Sequence, residues 1–296
     1  MPSAFETCLS IGDLVVRLTA DDSRLAAPPP GLTRAFCCAP RHADVEIAAR
    51  WADALTPPTG TPLFDSAGAW QLASVDRHYV VTCHSSLKGP QPYAIARFDS
   101  TFARGTVTFN ARHWTDGAPV FPLEYPLDEV LMVHLLSQGR GVEVHGCGIL
   151  DRTGRAYIFA GQSGAGKSTL ARLWANEPDI TVLSDERVVV RTDRDPVVVY
   201  GTPWHGDAEL ASPRSGPLAG LFFLRHGAAH ATSPLDPATA AAQLFSCAFL
   251  PFYDRDAVSR TVDAIERIIG AAPTSVLAFT PTRSTIEYIT ALNRSG

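Results

Sequence analysis

A glycine-rich segment near the middle of the chain has the composition and spacing of a phosphate-binding loop. Residues 161–168 read Gly-Gln-Ser-Gly-Ala-Gly-Lys-Ser, an unbroken match to Gly-x-x-x-x-Gly-Lys-Ser/Thr. Glycines let such a loop turn tightly, so that successive N–H groups point at phosphate oxygens. We expect Lys167 to reach the β and γ phosphates and the Ser168 hydroxyl to bind Mg²⁺. The predicted nucleotide contacts are Gly161, Gln162, Ser163, Gly164, Ala165, Gly166, Lys167, Ser168 and Thr169.

The residues around this loop agree with nucleotide binding. An apolar segment, Ala-Tyr-Ile-Phe-Ala, precedes it, and a helical pattern, Lys-Ser-Thr-Leu-Ala-Arg-Leu-Trp-Ala, follows it. The start of that helix adds unpaired N–H groups and the positive end of the helix dipole. A chance match in a chain of this length has odds on the order of one per cent. We predict ATP with Mg²⁺ as the ligand.

Two acidic residues and one histidine are candidates for catalysis or metal binding. Asp185 and Glu186 follow an apolar run at 180–184, and a carboxylate at the end of a strand is well placed for a Mg²⁺ contact or a base. The alternative is an acidic turn between two strands. His145 lies on an upstream strand and would tune Asp185 as a base if the two strands are neighbours. A lone histidine on a strand can equally have a structural role.

A third group lies at Gly-Thr-Pro-Trp-His-Gly, residues 201–206. The turn is expected to expose Trp204 and His205 at the end of a strand, where loops of α/β sites commonly carry function. The indole would stack on a nucleobase or clamp an acceptor, and His205 would contact phosphate. The alternative is a core tryptophan that anchors the loop. Arg214 and Arg225 are candidates for stabilising the transferring phosphoryl group, or ordinary surface residues.

The elements that must position these residues change in character near residue 126. Before it, short β-branched and aromatic runs at 13–19, 78–83, 93–98 and 106–110 are separated by Pro/Gly clusters. We therefore predict an N-terminal β-rich domain at 1–125 and an α/β (α+β) catalytic domain at 126–296. In the second domain, helices are predicted at 127–138, 167–175, 237–249 and 255–269. Strands are predicted at 142–150, 156–160, 180–183, 187–191, 197–200, 218–224 and 276–279.

Composition excludes several classes of protein. A net charge of −5 over 296 residues, with scattered arginines, gives no electrostatic argument for nucleic acid or a membrane surface. The six cysteines form no Cys-x-x-Cys pair, which argues against a zinc or redox motif. No run approaches the ~20 apolar residues needed to span a bilayer, and the N-terminal residues lack a secretion-signal pattern. We expect a cytoplasmic protein.

These motifs together resemble the catalytic domain of the HPr kinase/phosphorylase family. That family carries a His-Gly before its phosphate loop and an Asp-Asp-Arg-Val segment one short helix later; the matching segments here are 145–146, 161–168 and 185–188. The resemblance covers roughly residues 127–200. It implies the fold shared with phosphoenolpyruvate carboxykinase, in which a mostly β core surrounds a P-loop. It also implies a homo-oligomeric assembly.

The resemblance implies roles for individual residues. Asp185 would be the base toward a serine hydroxyl, His145 its partner, and Ser168, Asp185 and Glu186 the Mg²⁺ ligands. Two positions differ from the family: Thr169 stands where glutamate is usual, and Glu186 where a second aspartate is usual. The Glu-x-Arg-Gly segment of the bifunctional enzymes has no counterpart, which argues against the reverse, phosphorolytic reaction.

The sequence looks closer to HPr kinase-like proteins of peptide-modification clusters, including lasso-peptide precursor kinases. Those proteins have a β-rich region before the kinase core and segments similar to 201–206. The implied function is ATP-dependent phosphorylation of a serine on a peptide or small protein. Two alternatives are a regulatory protein that binds nucleotide without transfer, and a small-molecule kinase on the same core.

Overall fold

The computed structural model describes residues 5–162 and 164–292, which form an α+β arrangement of helices and strands, as predicted. They divide into two compact units, residues 5–10 and 14–135 in the first, and residues 11–13 and 136–292 in the second. The division falls inside the helix Leu127–Leu136, whereas the sequence placed it before that helix, at 125/126. The helix packs mostly within the first unit, where His134 stacks on Phe102 with ring centroids 3.9 Å apart.

The first unit is built on one eight-stranded sheet with the order β1-β2-β3-β8-β7-β6-β5-β4. β3 is parallel to both of its neighbours, β2 and β8, and the pairs from β4 to β8 are antiparallel. The elements of this unit in chain order are β1 Phe5–Ile11, β2 Leu14–Ala20, β3 Val45–Ala52, β4 Thr61–Asp65, β5 Trp70–Val75, β6 His78–Cys83, β7 Ala94–Phe98, β8 Arg104–Asn110 and the helix α1 Leu127–Leu136.

One face of this sheet is covered and the other is polar. In β3, Val45, Ile47 and Ala49 are buried, whereas the residues between them are exposed. This period of two is typical of a strand with one face on the core. The alternation of buried and exposed residues in β3 is therefore that of a sheet with one face on the core and one in solvent.

The second unit contains the predicted phosphate loop, four helices and nine strands among the described residues. None of the helices in 5–162 and 164–292 is long and apolar enough to cross a membrane. The elements in chain order are β9 Gly141–Leu150, β10 Ala156–Ala160, α2 Lys167–Ala175, β11 Thr181–Ser184, β12 Arg187–Arg191, β13 Val198–Tyr200, β14 Ser215–His226, β15 Ala231–Pro234, α3 Pro237–Phe245, β16 Ala248–Phe249, α4 Arg255–Ala271, β17 Thr274–Phe279 and α5 Ser284–Leu292.

Strand pairing in the second unit closes on itself. The order is β10-β9-β12-β13-β14-β17-β15, and β10 also pairs with β14 in parallel. The ten-residue strand β9 is the hub, because β11 and β16 pair with it as well. Its even-numbered residues Val142 and Val144 belong to one apolar cluster, and its odd-numbered Cys147 and Ile149 to another on the opposite face, which also contains Leu170 of α2.

Most predicted elements of the second unit are confirmed, several to the residue, including β10, α2 and β12. The helix predicted at 237–249 is too long. It ends at Phe245, because the next residues leave the helix and Ala248 and Phe249 pair with β9 as a short strand. The predicted list lacked α5 and β15 in this unit and β1, β3, β4 and β5 in the first.

Candidate functional site

The predicted phosphate loop connects the buried strand β10 to the start of α2. All five residues of β10 are buried, and α2 begins at Lys167. Gly166, just before the helix, has a φ of +97°, and a Cβ there would lie 2.8 Å from the Phe279 ring. Both conformation and space therefore require glycine at this position. Ser163, one of the predicted nucleotide contacts, lies outside the described residues.

The first turn of α2 presents polar groups at the loop. Gly166 stands at the N-cap position and has no side chain to bond the helix N–H groups, so these remain available to an anion. Ser168 is partly exposed and Thr169 is exposed. The arrangement of strand, glycine loop and helix start is suited to phosphate binding.

The side chain of Lys167 points into the loop. Its ammonium donates to the carbonyl oxygens of Gly161 (2.9 Å) and Gln162 (3.1 Å), and only 6% of the residue is exposed. Burial lowers the pKa of Lys167 below its ordinary value, with the nearby charge of Glu186 opposing this shift. The loop therefore contains the buried ammonium group of Lys167, which interacts with the negative charge of Glu186.

Asp185 follows the end of β11, as predicted, but its carboxylate is bound by backbone. The residue is fully buried. Its Oδ1 accepts hydrogen bonds from the N–H groups of Gly206 (3.0 Å) and Leu210 (3.3 Å), and its Oδ2 from that of Ala208 (2.9 Å). Asp185 is thus the anchor of the 206–210 segment.

His145 faces Glu186, whereas the sequence paired it with Asp185. β9 and β12 are neighbours, as that hypothesis required, with Arg187 in register with His145. Of the two adjacent acidic residues, it is Glu186 whose Oε1 lies 3.8 Å from His145 Nδ1. Burial lowers the pKa of His145, Lys167 and Arg187 lower it further, and Glu186 opposes them.

The segment that carries Trp204 and His205 is held against the same acidic turn. Ser184 Oγ donates to the Trp204 carbonyl oxygen (2.9 Å), and Thr202 Oγ1 donates to that of Arg187 (2.6 Å). Trp204 is partly buried and His205 is exposed. Together with the bonds to Asp185, these contacts bring the predicted substrate residues to the carboxylate pair.

Two cavities meet at the phosphate loop, and both are lined by Gly161, Gln162 and Cys247. The first, of about 580 Å³, extends past Arg225 and His226. The second, of about 330 Å³, is lined by His145, Ser246 and Phe249 among others. One loop thus separates a larger space from a smaller one that reaches the His145 imidazole.

The two arginine candidates differ in position. Arg225 lines the larger cavity beside the loop, next to His226, whose Nε2 lies 2.9 Å from the Gly164 carbonyl oxygen. Arg214 instead donates a hydrogen bond to Thr181 Oγ1. Only Arg225 is placed beside the loop by these contacts.

Sequence analysis missed a buried ion pair beside His145. Glu143 is fully buried, and its Oε1 lies 3.3 Å from Arg187 Nη1. The Arg187 guanidinium lies 4.5 Å from the centre of the Phe249 ring, which stacks near His145 at 6.5 Å. A signal was present in the sequence: Glu143 and His145 are strongly polar residues at alternate positions of an otherwise apolar strand, so they share one face.

A larger cavity, of about 780 Å³, lies on the polar sheet face of the first unit. Its charges pair among themselves: Arg17 Nη1 lies 3.1 Å from Glu46 Oε1, and Arg104 Nε lies 4.0 Å from Glu46 Oε2. None of its lining residues belongs to a loop with a phosphate-binding sequence. The phosphate loop, despite its smaller cavities, is the better candidate site.

Few protein oxygens near the loop could bind Mg²⁺. In residues 5–162 and 164–292, no group of three or more His, Cys, Asp or Glu side chains could hold a metal ion. Asp185, a predicted ligand, has its oxygens engaged by three N–H groups. The Ser168 hydroxyl is partly exposed at the loop. This suits Mg²⁺ bound largely through nucleotide phosphates, the mode this ion usually adopts.

Comparison of the chain with protein-family models and with curated proteins finds no match.

Proposed function

We propose that this chain is an ATP-dependent kinase with an HPr kinase-like P-loop core, which transfers the γ-phosphoryl group to a serine hydroxyl of a peptide or small protein. The observation that carries the proposal is the position of Lys167, whose ammonium lies inside a glycine loop with a phosphate-binding sequence. His145, which lines the adjacent cavity, and Glu186, whose carboxylate lies 3.8 Å from its imidazole, favour transfer over binding alone.

In this proposal the larger cavity takes the nucleotide and the smaller one takes the acceptor. The loop N–H groups and Lys167 hold the β and γ phosphates, and Arg225 is close enough to the loop to contribute charge. The acceptor hydroxyl approaches from the side of His145 and Phe249. Catalysis depends mainly on positioning and charge, because the transition state of phosphoryl transfer is loose.

Mg²⁺ would be held by Ser168 and by the phosphate oxygens. When bound, it neutralises charge that develops on the phosphates. The chain's own residues then have two remaining tasks, to orient the acceptor and to receive its proton. The cytoplasmic location and the homo-oligomeric assembly remain predictions.

The small number of lysines makes nucleotide binding directly testable. The chain has two, Lys88 and Lys167. An acyl-phosphate derivative of ATP acylates a lysine near its phosphates, so mass spectrometry should find Lys167 modified and protected by excess ATP, with Lys88 modified equally in both samples. Equal modification of both lysines, with no protection by ATP, would refute nucleotide binding at the loop.

Transfer itself is tested with γ-labelled ATP, Mg²⁺ and serine-containing peptides, including a short precursor encoded beside the gene. Label on peptide and free phosphate are scored separately for wild type and Lys167→Ala. The kinase proposal expects peptide label that is lost in Lys167→Ala. ATP-protected acylation of Lys167 without label on any peptide favours the regulatory alternative, and label only on small alcohols favours the small-molecule kinase.

A further inference from the structure

The two adjacent acidic residues have different surroundings. Asp185 is fully buried and its oxygens receive three backbone N–H groups from one segment, residues 206–210. These donors occupy three of the roughly four lone-pair positions of the Asp185 carboxylate, which leaves little room for contact with an acceptor hydroxyl. The geometry therefore makes Asp185 a poor place for the proton of an acceptor hydroxyl.

Glu186 is open to a partner. About 30% of its side chain is exposed, against 29% for His145, and the two approach to 3.8 Å. The same imidazole lines the smaller cavity at the loop. A partly exposed carboxylate beside an imidazole can accept a proton from a substrate and release it to solvent.

Asp185 instead fixes the position of the segment that carries Trp204 and His205. Ser184 binds the Trp204 carbonyl group from the preceding position, and Thr202 binds that of Arg187. A Cβ at Gly206 would lie 2.6 Å from Glu186 Oε2 and 2.9 Å from Asp185 Oδ2, so the segment also packs directly on both carboxylates. Release of this segment would displace Trp204 and His205, the predicted acceptor contacts.

We propose that the two carboxylates have different roles: Glu186 is the base, and Asp185 is a positioning residue that holds the 204–210 segment, with the predicted acceptor contacts Trp204 and His205, beside the acidic turn. The inference rests on the proposed kinase function. The acceptor oxygen forms a bond to the γ-phosphorus as its proton passes to Glu186. The bond from the γ-phosphorus to the β–γ bridging oxygen breaks, ADP carries away that electron pair, and Glu186 releases the proton to water.

The test separates turnover from acceptor binding in a peptide that wild type phosphorylates. Glu186→Gln should lower kcat by about 100-fold or more and change the acceptor KM by less than about 3-fold, as expected for loss of a base. Asp185→Asn replaces one bound oxygen by an amide that cannot accept. It should raise the acceptor KM about 10-fold and lower kcat by less than about 10-fold. His205→Ala, an exposed substitution in the same segment, should also raise KM.

Chemical rescue distinguishes a base from a residue with a purely structural role, because an added small carboxylate can replace only a missing base. Sodium formate should restore kcat to Glu186→Ala, because the deleted side chain is partly exposed, and should not restore Asp185→Ala, whose site is sealed. ATP-protected acylation of Lys167 and the circular dichroism spectrum check that each variant is folded. If Asp185→Asn does not fold, the Glu186→Gln variant and formate rescue still test whether Glu186 is the base, and His205→Ala still tests the role of the 204–210 segment.

Two results would overturn the inference while wild type remains active. One is a 100-fold loss of kcat in Asp185→Asn at unchanged KM, and the other is a Glu186→Gln enzyme with near wild-type kcat. If wild type transfers phosphate to no acceptor, the proposed function itself fails, and the inference fails with it.

Discussion

The ammonium of Lys167 donates a hydrogen bond to the carbonyl oxygen of Gly161 at 2.9 Å, so the last part of the loop is tied to its first residue. A second bond, to Gln162, strengthens this closure. The same cation is expected to bind phosphate, so Lys167 both shapes the loop and supplies its charge. Removing it should therefore loosen the loop and also remove its positive charge.

We expect Lys167→Ala to weaken ATP binding about 10- to 100-fold, because a hydrogen bond to a charged group contributes about 1.5–3 kcal/mol. A fluorescent ATP analogue in a direct titration measures the change. Lys88→Ala is the matched control: Lys88 stacks on Trp114 at 3.9 Å in the first unit, and its removal should leave ATP affinity unchanged. Equal affinities for wild type and Lys167→Ala would place the nucleotide elsewhere.

Gly206→Ala tests the contact between the 204–210 segment and the carboxylates. The added methyl would lie 2.6 Å from Glu186 Oε2, closer than any normal contact, so either the carboxylate or the segment must move. A displacement of about 1 Å near reacting groups can cost about 100-fold in rate, and we expect a loss of this order in phosphoryl transfer. ATP affinity should stay within about 2-fold, since Gly206 does not belong to the loop.

The control is Gly270→Ala, in α4, where a Cβ meets no atom within 4 Å. Alanine also favours a helix more than glycine, so this variant should be as stable as wild type or slightly more so. Full transfer activity in Gly206→Ala would mean that Glu186 tolerates displacement, which is incompatible with a positioned base.

The strand, glycine loop and helix at 156–175 were predictable because their signal is local. The eight-residue motif at 161–168 and its flanking apolar and helical patterns define them, and β10 and α2 begin and end where the pattern places them. The partner of His145 was not predictable in this way. Asp185 and Glu186 are adjacent in sequence, and only the register of β12 on β9 and the path of residues 206–210 decide which carboxylate faces the imidazole.

The sheet of the first unit was harder to predict for a similar reason. β3 is parallel to β2 and β8, which are distant from it in sequence, and the edge strand β4 has no buried residue. The buried pair of Glu143 and Arg187 depends on pairing between distant strands as well. Long-range pairing leaves little trace in a single sequence, whereas the glycines of a tight loop do.

The six cysteines should differ widely in reactivity, since none is in a disulfide and only Cys37 is exposed. Burial raises the pKa of Cys83 to about 12. A thiolate is the reactive form, and although burial and the neighbouring Cys38 also raise the pKa of Cys37, that residue is exposed. Iodoacetamide at pH 8 should therefore alkylate Cys37 well before Cys83. Peptide mapping after timed alkylation measures each rate. Fast alkylation of Cys83 in the folded protein would contradict the burial of this strand.

Cys247 is a useful reporter in the same experiment. It is buried and lines both cavities at the loop, and burial raises the pKa of its thiol. We expect slow alkylation that ATP slows further, because a nucleotide at the loop would cover this side of the cavity. Unchanged alkylation in saturating ATP would argue that the nucleotide does not extend past Cys247. Cys37, in the first unit, gives the ATP-independent reference rate.

Asp151 organises the turn between β9 and β10, just before the strand that leads to the loop. Its Oδ1 accepts bonds from the Thr153 N–H (2.8 Å), the Thr153 hydroxyl (2.6 Å) and the Arg155 N–H (3.0 Å). Burial opposes ionisation of Asp151, but these bonds outweigh it and hold the pKa of the carboxyl below its ordinary value. The charged form therefore stabilises the folded state.

We expect Asp151→Ala to lower the free energy of unfolding of the second unit by about 1–3 kcal/mol at pH 7. Asp151→Asn should cost less, because the amide oxygen can still accept from the same donors. Since the folded pKa is depressed, the contribution of the charge is complete above the unfolded pKa of about 3.9 and disappears as pH falls through the folded value. Urea unfolding at pH 7 and at pH 3 should therefore show the gap between wild type and Asp151→Asn narrowing with acidification. A gap that widened at low pH would reverse the sign of this linkage and refute the stabilising role of the charge.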